Sequence, residues 1–225
     1  MLSKNIFFQN KLNIKNKLKL SKKVKKKFSK FREDCIQNKI PFLKSFKKGY
    51  KIEINNRYFK KIKKNNKFNI IGMGGSVLGS KTIYSFLNHK IKKKFSFFDN
   101  LSENNFVNNK SSEKQNNIII SKSGNTLETI VNLNLILKKK KVNSNTFITE
   151  FKNNILLKVA NELKAEVIEH KNFIGGRYSV MSEAGMIPAY LMGLKTEKFK
   201  QLNSLIFNKR FLNSLISDVF FIYKL

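Results

Sequence analysis

Short apolar runs alternate with longer helix-like segments along the chain from residue 68 onward. Runs of about four residues rich in Ile, Phe and Val are typical of buried strands, whereas apolar residues spaced three and four apart are typical of amphipathic helices. The pattern predicts five strands, at 68–71, 95–98, 117–120, 146–149 and 166–169. It predicts helices at 80–88, 126–138 and 153–163, with the weakest helical pattern in the Asn-rich segment between the second and third strands.

This alternation of strands and helices indicates the fold class. Strands joined by helical crossovers run parallel, and a parallel sheet is covered by helices on both faces. We therefore expect an α/β fold with a doubly wound, five-stranded parallel sheet flanked by helices. Because such sheets bind ligands at the carboxyl ends of their strands, the loops after strands one, three and five are the candidate functional loops.

Helical patterns also lie on either side of the predicted sheet. Before it, apolar residues recur at spacings of three and four, and Pro41 is expected to end this helix; they are Val24, Phe28, Phe31 and Cys35. After it, a helical apolar stripe comprises Leu202, Leu205, Ile206, Leu212, Leu215, Ile216, Val219 and Phe220. The sequence thus predicts three parts: a basic, mostly helical arm at 1–60, a central α/β domain at 61–195 and an amphipathic C-terminal helix at 196–225.

The chain is strongly basic: its 225 residues include 46 Lys and Arg against 14 Asp and Glu, a formal net charge of +32. Such a charge attracts nucleic acid phosphates. Only four of these cations are Arg, however, and base-edge or bidentate phosphate recognition favours Arg. Lys, Asn, Ile and Phe are also the residues that an AT-rich genome encodes most readily. Drift of solvated positions therefore explains the charge, and we do not expect nucleic acid binding to be the main role.

Several other classes of protein are excluded by composition. Cys35 has no second cysteine with which to form a disulfide. The longest membrane-span candidate, 186–194, is far too short and contains Pro188 and Gly193. The N-terminus lacks the apolar stretch of a secretory signal, so we expect a cytoplasmic protein. We expect no metal, because no cluster of metal-ligating residues is present in the sequence.

A glycine-rich loop, Gly-Met-Gly-Gly-Ser-Val-Leu-Gly at 72–79, follows the first strand and precedes a helix. Glycines let the backbone approach an anion, and a helix N-terminus offers unpaired N–H groups. A dinucleotide-binding fingerprint would need Gly where Val77 stands, and a P-loop would need Lys directly after Gly79, where Ser80 stands. The loop therefore does not support NAD or ATP binding. The alternative to an anion site is a strand-to-helix turn that binds no ligand.

A second loop, 121–129, carries three hydroxyl residues at the start of a helix: Ser121, Ser123 and Thr126. A helix cap needs only one such side chain, whereas a phosphate monoester accepts many hydrogen bonds. The loop therefore predicts a phosphate site.

In the third loop, 172–180, Arg177 follows two glycines, and a guanidinium can donate to several substrate oxygens in a fixed geometry. For this loop taken without the other two, the alternative is an ordinary surface Arg after a glycine turn.

Together these motifs resemble, in order and spacing, those of the glucose-6-phosphate isomerase family: Gly-Met-Gly-Gly-Ser at 72–76, Ser-Lys-Ser-Gly-Asn-Thr-Leu-Glu-Thr at 121–129 and Gly-Gly-Arg-Tyr-Ser at 175–179. The first two alone resemble the broader sugar isomerase (SIS) domain, and the third narrows the resemblance to the isomerase. The resemblance covers about residues 40 to 200 and implies a flavodoxin-like SIS fold. It also implies interconversion of glucose 6-phosphate and fructose 6-phosphate in glycolysis and gluconeogenesis, without a cofactor, in a protein that is a homodimer when complete.

The resemblance also assigns roles to residues. It implies that the substrate phosphate is bound by Ser121, Lys122, Ser123 and Thr126, and that the sugar is contacted by Gly75, Ser76 and Gly176. Arg177 would be catalytic, stabilising the enediolate that forms when a proton is removed beside the carbonyl. Where the family usually carries Phe-Thr in the second loop, this chain carries Gly124-Asn125, as other SIS domains do.

The family's remaining catalytic groups, a glutamate base, a histidine and a lysine, lie beyond the segment that this chain resembles. Only 46 residues follow Ser179; they include no His, and their carboxylates are Glu183, Glu197 and Asp218. Glu183 comes too early to match the base and is expected to interact with a helix N-terminus. His89 and His170 are expected to be structural or surface residues, with His170 a candidate for lining the site. We therefore expect this chain to supply the phosphate-binding half of the isomerase; the alternative is a non-catalytic SIS-type phosphosugar-binding module.

Overall fold

The computed structural model describes residues 17–101, 115–139, 142–201 and 208–223. Most of the weakly patterned segment between the second and third predicted strands lies outside these residues, as do Leu202, Leu205 and Ile206 of the C-terminal stripe. The chain forms two compact units: Lys51–Lys198 is one, and the described parts of Met1–Tyr50 and Phe199–Leu225 form the other. The predicted boundaries at 60 and 195 stay a prediction.

A five-stranded sheet occupies the unit Lys51–Lys198. Its strands are β1 (Lys67–Gly72), β2 (Lys94–Phe98), β3 (Gln115–Ile120), β4 (Val142–Thr149) and β5 (Glu166–Glu169). They lie in the order β2-β1-β3-β4-β5, and every neighbouring pair is parallel. The strand order reverses between β1 and β3, which is the doubly wound, flavodoxin-like arrangement. The predicted fold class is therefore confirmed.

Seven α-helices are present among the described residues: α1 (Lys17–Ile36), α2 (Asn56–Ile62), α3 (Gly75–Phe86), α4 (Leu127–Lys139), α5 (Ile155–Glu162), α6 (Glu183–Leu191) and α7 (Lys209–Tyr223). Helix α1 is present where the apolar spacing predicts a helix, and it ends at Ile36, ahead of Pro41, which begins a 3₁₀ turn. Helix α3 differs from expectation, since it begins at Gly75 rather than at residue 80. The helix starts there because Gly74, at φ +52, turns the chain directly into it.

The apolar runs of the strands fill the space on both sides of the sheet. On one side, Ile71, Ile119 and Phe147 pack against α4 and α5. On the other side, Tyr84 of α3 contacts Phe95 and Phe97 of β2. The two faces use alternate strand residues, because successive side chains of a strand point in opposite directions. Among the described helices, none combines the length and the apolar character needed to cross a bilayer.

A row of asparagine side chains crosses the sheet interior. Asn69 of β1 stands opposite Asn117 of β3, which stands opposite Asn145 of β4. The Asn69 amide donates to Asn117 Oδ1 at 2.7 Å, and the Asn117 amide donates to Asn145 Oδ1 at 2.9 Å. Asn69 and Asn117 are buried. Composition drift at solvated positions therefore does not account for these asparagines; they satisfy one another across three strands.

We predict that Asn117→Ala lowers the free energy of unfolding by about 2 kcal/mol, because it removes hydrogen bonds to both neighbouring strands inside the sheet. Urea unfolding measures the change. The matched variant is Asn134→Ala, at an exposed position of α4, for which we expect a change within about 0.5 kcal/mol. Equal stability of the two variants would contradict a structural role for the asparagine row.

Candidate functional site

Three loops leave the carboxyl edge of the sheet at the positions expected for a ligand site. The glycine loop (72–76) follows β1, the serine loop (121–126) follows β3 and the arginine loop (170–177) follows β5. β1 and β3 end side by side, with Gly72 in register with Ile120. The glycine and serine loops therefore begin at the point where strand order reverses, which is where doubly wound sheets bind ligands.

The glycine loop lies close to its neighbours because it lacks side chains. A Cβ added to Gly72 would lie 2.6 Å from the carbonyl oxygen of Ile120. A Cβ added to Gly75 would lie 2.3 Å from the carbonyl oxygen of Gly176 and 2.9 Å from the backbone nitrogen of Arg177. All three distances are shorter than the contacts that real Cβ atoms make. Glycine at Gly75 therefore brings the start of α3 into direct backbone contact with the arginine loop.

The arginine loop runs into a 3₁₀ turn, Gly176–Met181, that is held on α3. Ser179 is buried, and its hydroxyl lies 2.7 Å from the Gly176 carbonyl oxygen and 3.1 Å from that of Gly75, so it can donate to either. Glycines also make room for Val180: a Cβ at Gly79 would lie 2.6 Å from its side chain. The backbone before and after Arg177 is thereby fixed.

Arg177 itself is exposed. Within the described part of the chain its guanidinium makes no hydrogen bond or ion pair, although it is carried by a backbone packed on the glycine loop. A guanidinium without a protein partner is suited to receive a ligand anion, because no existing contact must be broken first.

The hydroxyl groups of the serine loop differ in accessibility. Ser121 is buried; its Oγ lies 2.9 Å from Thr126 Oγ1 and accepts a hydrogen bond from the Gly124 N–H. Ser123 is exposed, and its Oγ accepts the N–H of Asn125 at 3.3 Å. The loop leads directly into α4, whose first N–H groups have no carbonyl of their own helix to bond. Ser121 therefore braces the loop, and Ser123 is the hydroxyl most open to a ligand.

Lys122 joins the serine loop to the arginine loop. Its Nζ donates to the carbonyl oxygen of Asn172 at 2.6 Å and lies 3.6 Å from Glu150 Oε1. The structure thus brings together the loops of all eight candidate residues, with the arginine loop in contact with both others. Lys122 already has protein partners in Asn172 and Glu150. Its charge is therefore shared with these groups and is not held in reserve for a ligand.

A family model described as phosphoglucose isomerase matches residues 25–218. The chain belongs to the phosphoglucose isomerase family. Curated relatives named glucose-6-phosphate isomerase include one from Methanocaldococcus jannaschii, 35% identical over 146 residues, and one from Mycoplasmoides gallisepticum, 32% identical over 149 residues. These matches cover 57% and 59% of this chain and 33% and 34% of the relatives. The chain therefore spans about a third of the length of the curated relatives it matches.

Solved structures share the fold of this phosphoglucose isomerase family chain. A hypothetical protein, TT0462 from Thermus thermophilus, gives a TM-score of 0.63 at 20% identity, covering 84% of this chain and 46% of that chain. The Vibrio vulnificus NanR protein complexed with ManNAc-6P gives 0.50 at 18% identity, covering 86% of this chain and 69% of that chain. At these identities the likeness concerns the fold alone.

The remaining candidates, His170, His89 and Glu183, differ in burial. His170, directly after β5, is fully buried, its Nε2 has no partner among the described residues, and burial lowers its pKa. It is therefore neutral at pH 7 and does not line an open surface. His89 is exposed after α3, and Glu183 is in the first turn of α6, as expected, but is buried. No group of His, Cys, Asp and Glu within the described ranges could hold a metal ion.

One residue beside the site was not anticipated from the sequence. Asn154, at the start of α5, is buried against the serine loop, and its side chain makes several hydrogen bonds. The available signal was local: Asn directly before an apolar helical pattern is typical of a helix N-cap. Its contact with the serine loop depends on the β4–α5 connection folding back, which no local pattern indicates.

We predict that Gly75→Ala lowers the free energy of unfolding by about 1 to 3 kcal/mol, because its Cβ would overlap the backbone of Gly176 and force α3 and the arginine loop apart. Gly176→Ala is the matched control, because Gly176 is the partner of Gly75 in this contact but a Cβ on Gly176 meets nothing within 4 Å. Thermal and urea unfolding compare the two. A Gly75 variant as stable as the Gly176 variant would show that the loops can separate without cost.

Proposed function

We propose that this chain supplies the phosphate-binding part of a glucose-6-phosphate isomerase, which interconverts glucose 6-phosphate and fructose 6-phosphate in glycolysis and gluconeogenesis. The observation that carries the proposal is the meeting of the serine and arginine loops at one sheet edge, joined by the Lys122–Asn172 hydrogen bond. This hydrogen bond supports a common site for the serine loop, whose donors suit a phosphate, and the loop that carries Arg177. A sugar phosphate needs both, one for its phosphate and one for its reacting oxygens.

The serine loop is the proposed phosphate site. Ser123 and Thr126 offer hydroxyl donors, and the first turn of α4 adds backbone N–H groups and the positive end of the helix dipole. Ser121 holds the loop in shape through Thr126 and Gly124. Lys122 adds positive charge nearby, which favours a dianion over a neutral ligand.

The glycine and arginine loops are the proposed sugar-binding and catalytic region. Gly75, Ser76 and Gly176 would contact the sugar, since their backbones form the surface between the two loops. Isomerisation removes a proton beside a carbonyl, so negative charge grows on oxygen, and the guanidinium of Arg177 would stabilise it. The proton moves within one substrate molecule, so the reaction needs no cofactor. The base that moves it is, by resemblance, a glutamate outside the matched motifs.

The same proposal extends to the organisation of the protein. We assign the phosphosugar-binding domain to residues 61–195, preceded by the basic arm and followed by the amphipathic C-terminal helix. The family resemblance supports a cytoplasmic enzyme that acts as a homodimer. The high charge is carried by Lys rather than Arg, which supports composition drift over nucleic acid binding.

We predict that Ser123→Ala weakens binding of fructose 6-phosphate by about 1 to 3 kcal/mol, because a hydrogen bond to a charged phosphate is lost. Isothermal titration calorimetry on the 225-residue chain measures the dissociation constant. Ser85→Ala, at an exposed position of α3, serves as the control and should leave the affinity unchanged. The phosphate assignment fails if both variants bind as tightly as the parent.

We predict that Arg177→Ala lowers the rate of isomerisation about 100-fold while changing substrate affinity far less, because its charge acts mainly on the transition state. A coupled assay measures turnover by the chain alone and by the chain supplemented with the remainder of the Methanocaldococcus jannaschii relative as a separate polypeptide. Arg57→Ala, on the exposed side of α2, is the control.

Two outcomes of that assay would change the proposal. Equal losses of turnover and affinity in the Arg177 variant would argue against a role at the enediolate. Binding of the sugar phosphate without turnover under either condition would favour the non-catalytic phosphosugar-binding module.

A further inference from the structure

The first turn of α5 holds the serine loop. The first N–H groups of a helix have no acceptor within the helix. The groups outside the helix to which they donate show whether the helix end binds protein or is open to a ligand. The N–H of Ile155 donates to Asn125 Oδ1, and the N–H of Leu156 donates to the Gly124 carbonyl oxygen, both at 3.0 Å. This helix end therefore binds protein rather than a ligand. It does so at the two residues, Gly124 and Asn125, that depart from the usual family sequence.

Asn154 orders that first turn. Its Oδ1 accepts the N–H of Leu157 at 2.8 Å, which is a helix N-cap. Its amide nitrogen lies 3.0 Å from the carbonyl oxygens of Glu150 and Lys152 and 3.3 Å from Thr149 Oγ1. One side chain thus ties the end of β4 to the start of α5.

The connection that Asn154 ties together is itself bonded to the serine loop. The N–H of Glu150 donates to the carbonyl oxygen of Lys122 at 3.1 Å. Gly124, at φ +67, lies directly on the Asn154 side chain, since a Cβ there would be 2.0 Å from Asn154 Oδ1. The serine loop is therefore held at both Lys122 and Gly124 by the segment that Asn154 organises.

We propose that Asn154 is a positioning residue for phosphate binding: it holds the serine loop in the shape that presents Ser123 and Thr126 to the ligand. Asn154 is only 4% exposed and so acts through the loop rather than on the ligand. The inference rests on the proposed function only in taking the serine loop as the phosphate site. That Asn154 holds the loop stands on its hydrogen bonds alone.

The test compares Asn154→Ala with two matched variants of the 225-residue chain. Asn55→Ala removes an equivalent cap, because Asn55 Oδ1 accepts the N–H of Tyr58 at the start of α2. Asn153→Ala changes the exposed neighbour of Asn154. Each variant is measured by urea unfolding and by titration with inorganic phosphate and with fructose 6-phosphate. Amide hydrogen exchange of Gly124 and Asn125, followed by NMR, reports the order of the loop without any ligand.

We expect Asn154→Ala and Asn55→Ala both to lower stability, because each removes a helix cap. Of these two variants, only Asn154→Ala should weaken binding of both ligands, by about tenfold, and speed exchange of the Gly124 and Asn125 amides. Asn153→Ala should match the parent. A fourth variant, Asn154→Ser, keeps a capping oxygen but lacks the amide that bonds Glu150 and Lys152, so stability should recover in part while affinity stays low.

Several results would overturn the inference. If Asn154→Ala loses stability but binds both ligands like the parent, Asn154 is a helix cap and nothing more. Recovery of full affinity in Asn154→Ser would lead to the same conclusion. If Asn154→Ala does not fold, Asn154→Ser decides the question by the same measurements.

Failure of the proposed function gives a different pattern. In that case the parent chain binds neither ligand, and amide exchange alone tests the role of Asn154. Faster exchange at Gly124 and Asn125 in Asn154→Ala, but not in Asn55→Ala, would retain Asn154 as the residue that orders the loop. Unchanged exchange would reject it.

Discussion

The backbone contact between Gly75 and Gly176 is the constraint on which the geometry of the site depends. It joins the start of α3, which follows β1, to the turn that follows β5, although these segments are about a hundred residues apart. No side chain fits between them, so the position of Arg177 is set by backbone packing and not by its own contacts. The Ser179 hydroxyl lies within hydrogen-bond distance of the carbonyl oxygens of both Gly75 and Gly176, and so adds a polar interaction at the same contact. The backbone of Arg177 is therefore fixed while its exposed guanidinium is free to turn toward a ligand.

The two helix N-termini near the serine loop have different uses. The first turn of α5 donates to Gly124 and Asn125 and so is filled by protein. The first turn of α4 follows the serine loop and is directed to the site where a phosphate is proposed. A helix end that binds a loop gives that loop a fixed shape, and a fixed loop lowers the entropy cost of binding a ligand at the next helix end. The strands that lead into these two helices, β3 and β4, are neighbours in the sheet.

Much of the fold could be predicted from the sequence because its signals are local. Apolar runs such as 117–120 and helical spacing such as 126–138 depend only on neighbouring residues, and the three glycine- or serine-rich loops follow from their positions after strands. The early start of α3 was missed because a left-handed Gly74 allows a helix to begin inside a glycine-rich turn. The role of Asn154 was missed because its partners, apart from its own cap, are set by tertiary folding. The loops of the candidate site were found, but which hydroxyl is buried and which is exposed could be seen only in three dimensions.

The asparagine row across β1, β3 and β4 bears on how the sequence of this protein can change. Each amide in the row is satisfied by the next, so Asn69, Asn117 and Asn145 form a chain in which no member is independent. An apolar residue at one position would leave a buried amide without its partner on a neighbouring strand, whereas apolar residues at all three would leave only Gln115, to which Asn69 also donates, without its partner in the row. The three positions are thus energetically coupled, and substitutions there are tolerated as a set more readily than singly. Replacement of the row by apolar residues therefore requires several simultaneous changes, which makes these buried asparagines harder to exchange than asparagines on the surface.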